Sequence, residues 1–364
     1  MPIDSLNPSS TYQPGVALDD VQLILDKTPA AVWSALCGQR IFITGGTGFV
    51  GCWLLEALLW ANEQLQLGLS ISVLSRSPKA FTAKAPHLAN HPIVTLILGD
   101  VNDLGNIHEL FDIVIHAATD VVKADADPVA ILNNIIQGTR ETLALTQRCN
   151  AKRYLLTSSG AVYGRQPSTL SHIPENYLGA PDTRDKNSAY GEGKRVSEWL
   201  THCHARQYGL DAKIARCFAL LGPYLPLDAQ FAAGNFIRDG LDNKTISVNG
   251  DGTACRSYLY AADMAIWLLT ILINGESGQN YNLGSDDSIS IKDLAETVST
   301  IIYGEKKITI ASQPIENVPI QKYVPNIAKA SHELHLFPYT DLPTAIRKTM
   351  SWEMNNRALA NHPH

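Results

Sequence analysis

Tyr190 and Lys194 stand four residues apart in the run Tyr190-Gly191-Glu192-Gly193-Lys194. On a helix that spacing puts both side chains on one face. An ammonium beside a phenol favours the phenolate. Taking a phenol from ~10 to near 7 needs about 4 kcal/mol. One ammonium at ~4 Å supplies about that at an effective dielectric of ~20. A phenol tuned in this way can pass a proton to or from a substrate hydroxyl. The same spacing also occurs on ordinary surface helices, so it needs support from elsewhere. The strand-like run Arg153-Tyr154-Leu155-Leu156-Thr157-Ser158-Ser159 leads into Gly160-Ala161-Val162-Tyr163-Gly164. Hydroxyls at the end of a central strand face a cleft, where Ser159 can hold a substrate oxygen toward Tyr190. The plainer reading is that these hydroxyls only cap the strand.

A hydride partner for that proton is suggested by Gly45-Gly46-Thr47-Gly48-Phe49-Val50-Gly51, between Ile41-Phe42-Ile43-Thr44 and Trp53-Leu54-Leu55. Strand, glycine-rich turn and helix in that order form a dinucleotide fingerprint. Gly45, Gly48 and Gly51 allow a tight turn, close backbone approach and helix–strand packing, and the helix N-terminus offers N–H groups to a pyrophosphate. The second apolar strand ends in Ser75-Arg76, where an acidic residue would bind a ribose 2′-hydroxyl. A guanidinium there suits a 2′-phosphate, so NADP(H) is favoured, with NAD(H) as the alternative. Asp100-Val101, after the third strand, is placed to meet the adenine. His116-Ala117-Ala118-Thr119, after the fourth, offers small residues beside which a dinucleotide can lie.

These residues need a scaffold of alternating elements. Strand-length apolar runs fall at 41–44, 71–74, 93–98, 113–115, 154–156 and 213–218, with helical stretches at 51–63, 129–148 and 188–208. That alternation predicts an α/β fold, a Rossmann-type doubly wound parallel sheet. After Gly222-Pro223 the rhythm changes, with short strands at 245–248, 280–283 and 307–310 and helices at 257–273, 291–302 and 340–353. This predicts a smaller C-terminal α+β substrate lobe. The expected units are an N-terminal extension over 1–36, a dinucleotide-binding domain over 37–222 and a mainly substrate-binding lobe over 223–364. The extension reads as irregular to about residue 20. A helical stretch over 19–36 follows, split at Pro29, and is expected to pack on the Rossmann lobe. Ser290 with Asp293 reads as a capping box.

The 364 residues carry a net charge of −6 and 45% hydrophobic residues. This gives no basic footprint for nucleic acid and no apolar run of membrane-spanning length. Six scattered cysteines without a Cys-x-x-Cys fit reduced thiols in a cytoplasmic protein. No metal site is expected. His202-Cys203-His204 reads as helix surface or packing, because i and i+2 point apart. The run from Asp182 to Asp185 reads as a solvated loop, and Trp267, Leu268, Leu269 and Leu272 read as core. Tyr163 is open to a place near the nicotinamide or to a structural role.

Taken together, the ordered motifs resemble an extended short-chain dehydrogenase/reductase of the nucleotide-sugar epimerase/dehydratase family. They are Thr44 to Gly51, Gly99-Asp100-Val101, His116-Ala117-Ala118, Ser158 to Gly164, Tyr190-x-x-x-Lys194, Ala215-Arg216-Cys217-Phe218 with Gly222-Pro223, Gly250-Asp251-Gly252 with Arg256, Asp263, and Tyr281 to Gly284. The resemblance implies a Ser159–Tyr190–Lys194 triad, with Tyr190 and Lys194 also holding the nicotinamide end of the cofactor. It implies Asn235 and Arg256 at a substrate diphosphate, and a homodimer. Family 4,6-dehydratases carry an Asp-Glu pair just after the catalytic hydroxyl residue, and family decarboxylases a glutamate in that segment. Gly160 and Ala161 stand there instead. The family asparagine ahead of Gly138-Thr139 is displaced to Asn133 or Asn134. The expected activity is hydride transfer at C4 of a nucleotide-activated sugar, as a 4-epimerase or a 4-ketoreductase. A 4,6-dehydratase is the alternative, with Glu175 approaching from a loop. A non-catalytic NADP(H) sensor is a poorer fit to an intact triad.

Overall fold

The computed structural model describes residues 12–119, 127–229, 231–315 and 318–361; residues 1–11 of the extension lie outside that set. Two helices, α1 (Leu18–Lys27) and α2 (Ala30–Leu36), precede β1 (Arg40–Thr44) and α3 (Phe49–Leu65). Then come β2 (Ser70–Ser75), α4 (Pro78–Lys84), α5 (Pro86–Ala89), β3 (Val94–Leu98) and β4 (Ile113–His116). Next are α6 (Pro128–Arg148), β5 (Arg153–Ser159), α7 (Ala189–Tyr208), β6 (Asp211–Cys217), β7 (Leu220–Leu221), α8 (Ala232–Leu241), β8 (Ile246–Val248) and β9 (Cys255–Arg256). The chain continues through β10 (Leu259–Tyr260), α9 (Ala261–Asn274), β11 (Asn280–Leu283), β12 (Ile289–Ser290), α10 (Ile291–Tyr303) and β13 (Ile308–Ile310). It closes with β14 (Lys322–Tyr323), α11 (Ala328–Leu334) and α12 (Leu342–Asn361).

Seven parallel strands form the central sheet in the order β11-β6-β5-β4-β1-β2-β3. Strand order reverses between β1 and β4, which opens a ligand crevice at their carboxyl ends. The inner strands are apolar on both faces, with Ile41, Phe42, Ile43, Ile113, Val114 and Ile115 all inaccessible, as a sheet covered by helices on both sides requires. The 280–283 strand, expected within the smaller lobe, joins the central sheet beside β6 in the register Tyr281↔Ala215. Its sequence shows a short strand; only the return path of the chain assigns it to this edge. The smaller sheets, β12-β9-β14 and β13-β8, belong to the C-terminal part, where Ser290 caps α10 by accepting from Asp293 N at 3.0 Å.

α3 is apolar all around, and every residue from Gly51 to Ala61 is buried. Such a helix needs cover beyond the sheet. Part of that cover comes from the extension, whose Val21, Ile24, Val32, Trp33 and Leu36 are buried in the same core as Trp53, Leu54 and Trp267. Each fully buried side chain of this size contributes about 1.5–3 kcal/mol. The one acid on the buried stretch of α3, Glu56, is inaccessible and accepts from Tyr12 Oη at 2.5 Å, Gly15 N at 3.0 Å and Tyr224 Oη at 2.5 Å. His87 Nε2 lies 2.9 Å from the same carboxylate. The described part of the extension therefore packs on the Rossmann lobe. It also reaches the chain's other end, where Trp352 Nε1 donates to Gly15 O at 2.8 Å.

Candidate active site

The glycine-rich turn is shaped by close approach. Gly45 has φ +71°, and a Cβ there would lie 2.5 Å from the Ala117 carbonyl carbon, so the loop rests directly on the end of β4. A bare cradle at the head of α3 fits a pyrophosphate. Lys84 Nζ donates to Thr47 O at 3.0 Å, adding a cation at the turn that the sequence pattern did not single out. Ser75 is buried at the end of β2 and its Oγ accepts from Ser77 N at 3.2 Å, while Arg76 is exposed. Asp100 caps its own turn through Asn102 N at 2.9 Å. Val101 packs on α6 where Gly138 leaves room. Asn133 and Asn134 are exposed, and Asn134 Oδ1 accepts from Asn102 Nδ2 at 3.4 Å.

Beneath this crevice the strand ends are tied together. Thr44 Oγ1 lies 2.8 Å from His116 Nδ1, Thr139 Oγ1 is 3.4 Å from His116 Nε2, and Thr139 Oγ1 is 2.7 Å from Ser197 Oγ on α7. Burial pushes the His116 pKa down to about 3, with the Lys194 charge adding to the effect. The ring is neutral at working pH and serves as a fixed strut.

α7 brings Tyr190 and Lys194 to the end of β5. Gly193 lets α7 approach Ile135 of α6 closely. Lys194 is 2% exposed; its Nζ donates to Thr119 Oγ1 at 2.6 Å and Thr157 O at 2.8 Å, and lies 6.0 Å from the Tyr190 ring centroid. Burial pushes the Lys194 pKa down to about 8, against the Cys217 and Glu198 charges. Burial pushes the Tyr190 phenol up to about 12, against a hydrogen bond with Ser159. In the chain by itself burial outweighs the ammonium, and the expected fall toward neutrality counts on the cationic nicotinamide as well. Two of the ammonium's protons are engaged by Thr119 Oγ1 and Thr157 O, and desolvation of the phenolate wins.

Ser159 Oγ accepts from Ala161 N at 3.1 Å across a single 3-10 turn over Gly160–Tyr163. The Tyr323 phenol, a group with no signal in the sequence, reaches the same strand end, where a Cβ on Gly160 would lie 2.7 Å from its Oη. β14 pairs with β9 so that Tyr323 stands beside Arg256. The Arg256 guanidinium lies 5.9 Å from the Tyr323 ring centroid, and the Phe218 ring lies 4.6 Å from it. Arg256 thus stands beside Tyr323 near the end of β5. Asn235, on α8, accepts at Oδ1 from Arg238 Nη1 at 3.1 Å.

Other candidates settle outside the reacting centre. Tyr163 is buried behind β5, donating to Asn282 Oδ1 at 2.8 Å and accepting from Arg216 Nη1 at 2.7 Å. Glu175 accepts from Asn282 N at 2.9 Å and lines a polar cleft of about 440 Å³ with Gln279, Asn280 and Lys329 beside the amino end of β11. That places it away from Ser159 and Tyr190, which corrects its candidacy as a dehydratase acid. Trp267, Leu268, Leu269 and Leu272 are inaccessible core, and 182–185 is an exposed loop. Among the described residues no helix is long and apolar enough to cross a membrane.

The model of the NAD dependent epimerase/dehydratase family matches residues 41–284. UDP-glucuronic acid decarboxylase 1 of Arabidopsis thaliana is 30% identical over 323 residues, covering 88% of this chain and 71% of that protein. The crystal structure of UDP-glucose 4-epimerase from Thermotoga maritima with UDP-glucose superposes with a TM-score of 0.75 at 20% identity, covering 87% and 99% of the two chains. dTDP-glucose 4,6-dehydratase from Bacillus anthracis in complex with NAD gives a TM-score of 0.73 at 19% identity, covering 88% and 98%. These structures share the Rossmann-type fold. On its own sequence match, the chain belongs to the NAD-dependent epimerase/dehydratase family and is an enzyme of the extended short-chain dehydrogenase/reductase type.

Proposed function

We propose that this enzyme performs reversible hydride transfer at C4 of a nucleotide-activated hexose, as a 4-epimerase. The observation that carries this reading is the segment after Ser159. Gly160 and Ala161 supply no carboxylate, so the acid and base for losing water across C5–C6, or the glutamate of a decarboxylase, are missing next to an intact Ser159, Tyr190 and Lys194. The dinucleotide, bound along Gly45, Thr47, Gly48, Phe49, Val50 and Gly51 with Ala117 and Ala118 beside it, supplies the hydride acceptor and a positive ring that favours the Tyr190 phenolate. Ser159 holds the C4 oxygen. Tyr190 takes its proton, and Lys194 fixes the ribose and stabilises the phenolate. The C-terminal lobe, through Arg256 and Asn235, holds the substrate diphosphate.

Arg76 at the end of β2 favours a second reading, a 4-ketoreductase using NADPH, because a guanidinium there suits a 2′-phosphate. A homodimer through α6 and α7 completes the proposal; Trp199 on α7 is 64% exposed.

The test is to denature the purified protein and identify the released dinucleotide by mass spectrometry, then incubate fresh enzyme with UDP- and dTDP-hexoses and follow the sugars by NMR. Retained NAD(H) with interconversion of C4 epimers and no net absorbance change at 340 nm is the expected result. An empty site with NADPH consumed against a 4-keto sugar, and the NADPH preference lost in Arg76→Ala, would select the second reading. Formation of a 4-keto-6-deoxy sugar, or carbon dioxide from UDP-glucuronate, would overturn both.

A further inference from the structure

Residues 117–119, just past β4, touch both halves of the dinucleotide crevice. On one side the glycine-rich turn rests on the Ala117 backbone, which a Cβ at Gly45 would approach to 2.5 Å. Ala117 N donates to Thr44 O at 3.1 Å, and Ala118 N donates to Thr44 Oγ1 at 3.3 Å. These bonds pin the segment to the end of β1, where the turn begins. On the other side Thr119 Oγ1 accepts from Lys194 Nζ at 2.6 Å. The Thr119 hydroxyl sends its own proton to Ala118 O at 2.7 Å. A hydroxyl has one proton to donate and two lone pairs to accept with. With that proton spent, Thr119 meets the ammonium only as an acceptor.

We infer that Thr119 is a positioning residue that holds the Lys194 ammonium in place for the ribose next to the nicotinamide. The inference rests on the ribose-fixing role proposed above for Lys194. An ammonium has three protons to donate. Thr119 Oγ1 takes one, and Thr157 O, at 2.8 Å, takes another. The third is left for a ligand. Lys194 is 2% exposed, so water does little to replace a lost acceptor, and an unmet proton there is costly. Thr157 lies near the end of β5, and Thr119 follows β4, the neighbouring strand in the sheet. Two anchors on one dinucleotide must keep a set distance, and residues 117–119 link them. The same three residues support the turn that fits a pyrophosphate and fix the ammonium that meets the ribose.

Thr119→Val keeps the shape of the side chain and removes the acceptor, and Thr119→Ser restores the acceptor. The titratable groups facing the ammonium are Tyr190 and Glu198 on α7, Cys217 on β6 and His116 on β4, and neither substitution alters them. Burial pushes the Lys194 pKa down to about 8, which sets its signal apart from those of exposed lysines. The experiment labels the protein with [13Cε]lysine, strips bound nucleotide with charcoal, assigns the Lys194 resonance by its loss in Lys194→Met, and follows it from about pH 6 to 10. A hydrogen bond to the charged form raises an ammonium's pKa. Thr119→Val is therefore expected to move the Lys194 ionisation down by about one pH unit, and Thr119→Ser to restore it. In calorimetric titration NAD+ affinity is expected to fall roughly threefold to tenfold in Thr119→Val. In a Lys194→Met background the same substitution is expected to add nothing. A Lys194 ionisation that ignores Thr119→Val would overturn the inference. Tighter NAD+ binding in Thr119→Val, or an equal loss with and without Lys194, would also overturn it. If Thr119→Val fails to fold, Thr119→Ala removes the same acceptor and is read against the same outcomes. A wild-type protein that binds no NAD+ would defeat the proposed role of Lys194. The ionisation in the nucleotide-free protein would still decide whether Thr119 holds the ammonium.

Discussion

Glu198 grips Arg216 through a two-pronged contact, with Nη2 donating to Oε2 at 2.7 Å and Nε to Oε1 at 2.9 Å. Both side chains are nearly inaccessible, and they lie directly behind the end of β5. Ser158 Oγ donates to the same carboxylate at 2.6 Å, and Arg216 passes on to Tyr163. α7, β5, β6 and β11 therefore meet in one buried polar network, and the elements carrying Tyr190, Lys194 and Ser159 share it.

Removing one member of a buried pair leaves the other charged and alone, which costs about 3–5 kcal/mol. Glu198→Ala is expected to lose about that much in chemical denaturation. Replacing both residues by apolar ones of similar size is expected to recover most of it. A single variant within ~0.5 kcal/mol of wild type would show that the network is not a stability determinant.

The glycine-rich turn makes a separate prediction. Gly45→Ala places a methyl group against the Ala117 backbone at a positive φ, which costs about 1–2 kcal/mol in backbone conformation alone. The turn must move, so NAD+ affinity is expected to fall by at least about tenfold with the far-UV circular dichroism unchanged. Calorimetric titration with NAD+ reads this, and an unaltered Kd would mean that the cradle tolerates the shift.

How much of this was legible beforehand depended on whether a signal was local. The glycine turn, the strands around it and the Tyr190–Lys194 spacing are written into short windows, and the structure has them within a few residues of their expected bounds. Ser159 and Tyr190 do come together. Tyr323 was not legible in that way, because a two-residue strand has no periodicity to read, and the 280–283 strand was legible as a strand but not in its place at the edge of the central sheet. Their positions come from long-range pairing with Arg256 and Ala215. The electrostatics were only partly legible for a related reason. The sequence gives which charges share a helix face, whereas burial, which dominates the Tyr190 phenol, depends on the whole fold.

α3 is apolar all around, and the described part of the N-terminal extension covers part of it. If α1 and α2 are its cover, deleting residues 1–36 should yield an aggregated or unfolded chain. A milder test is Glu56→Ala, which strands the Tyr12, Gly15 and Tyr224 donors and is expected to cost about 3 kcal/mol. A truncated protein that stays monodisperse with the wild-type denaturation midpoint would show that the extension is dispensable.

Asp263 gives the fold a pH dependence whose sign can be worked out. Its carboxylate is inaccessible on α9, and Oδ2 accepts from Thr340 N at 3.0 Å and Tyr339 N at 3.2 Å, while Oδ1 has no partner. Burial raises its pKa from 3.8 to about 7, against those backbone bonds, and Asp20 pushes in the same direction as burial. Between these two values the folded chain holds a proton that the unfolded chain has lost. The Asp263 contribution to stability therefore falls as pH rises from about 4 to 7, by about 1.4 kcal/mol per unit, and levels off above. Asp20 is shifted upward too and adds to the same slope. Asp263→Asn keeps an oxygen for the Thr340 and Tyr339 N–H groups and carries no charge. It should match wild type near pH 4 and exceed it by a few kcal/mol at pH 8, about 4 at most. Urea denaturation of both proteins across that range measures the difference directly. Parallel stability curves from pH 4 to 8 would show that the Asp263 carboxylate is solvated well enough to ionise without penalty.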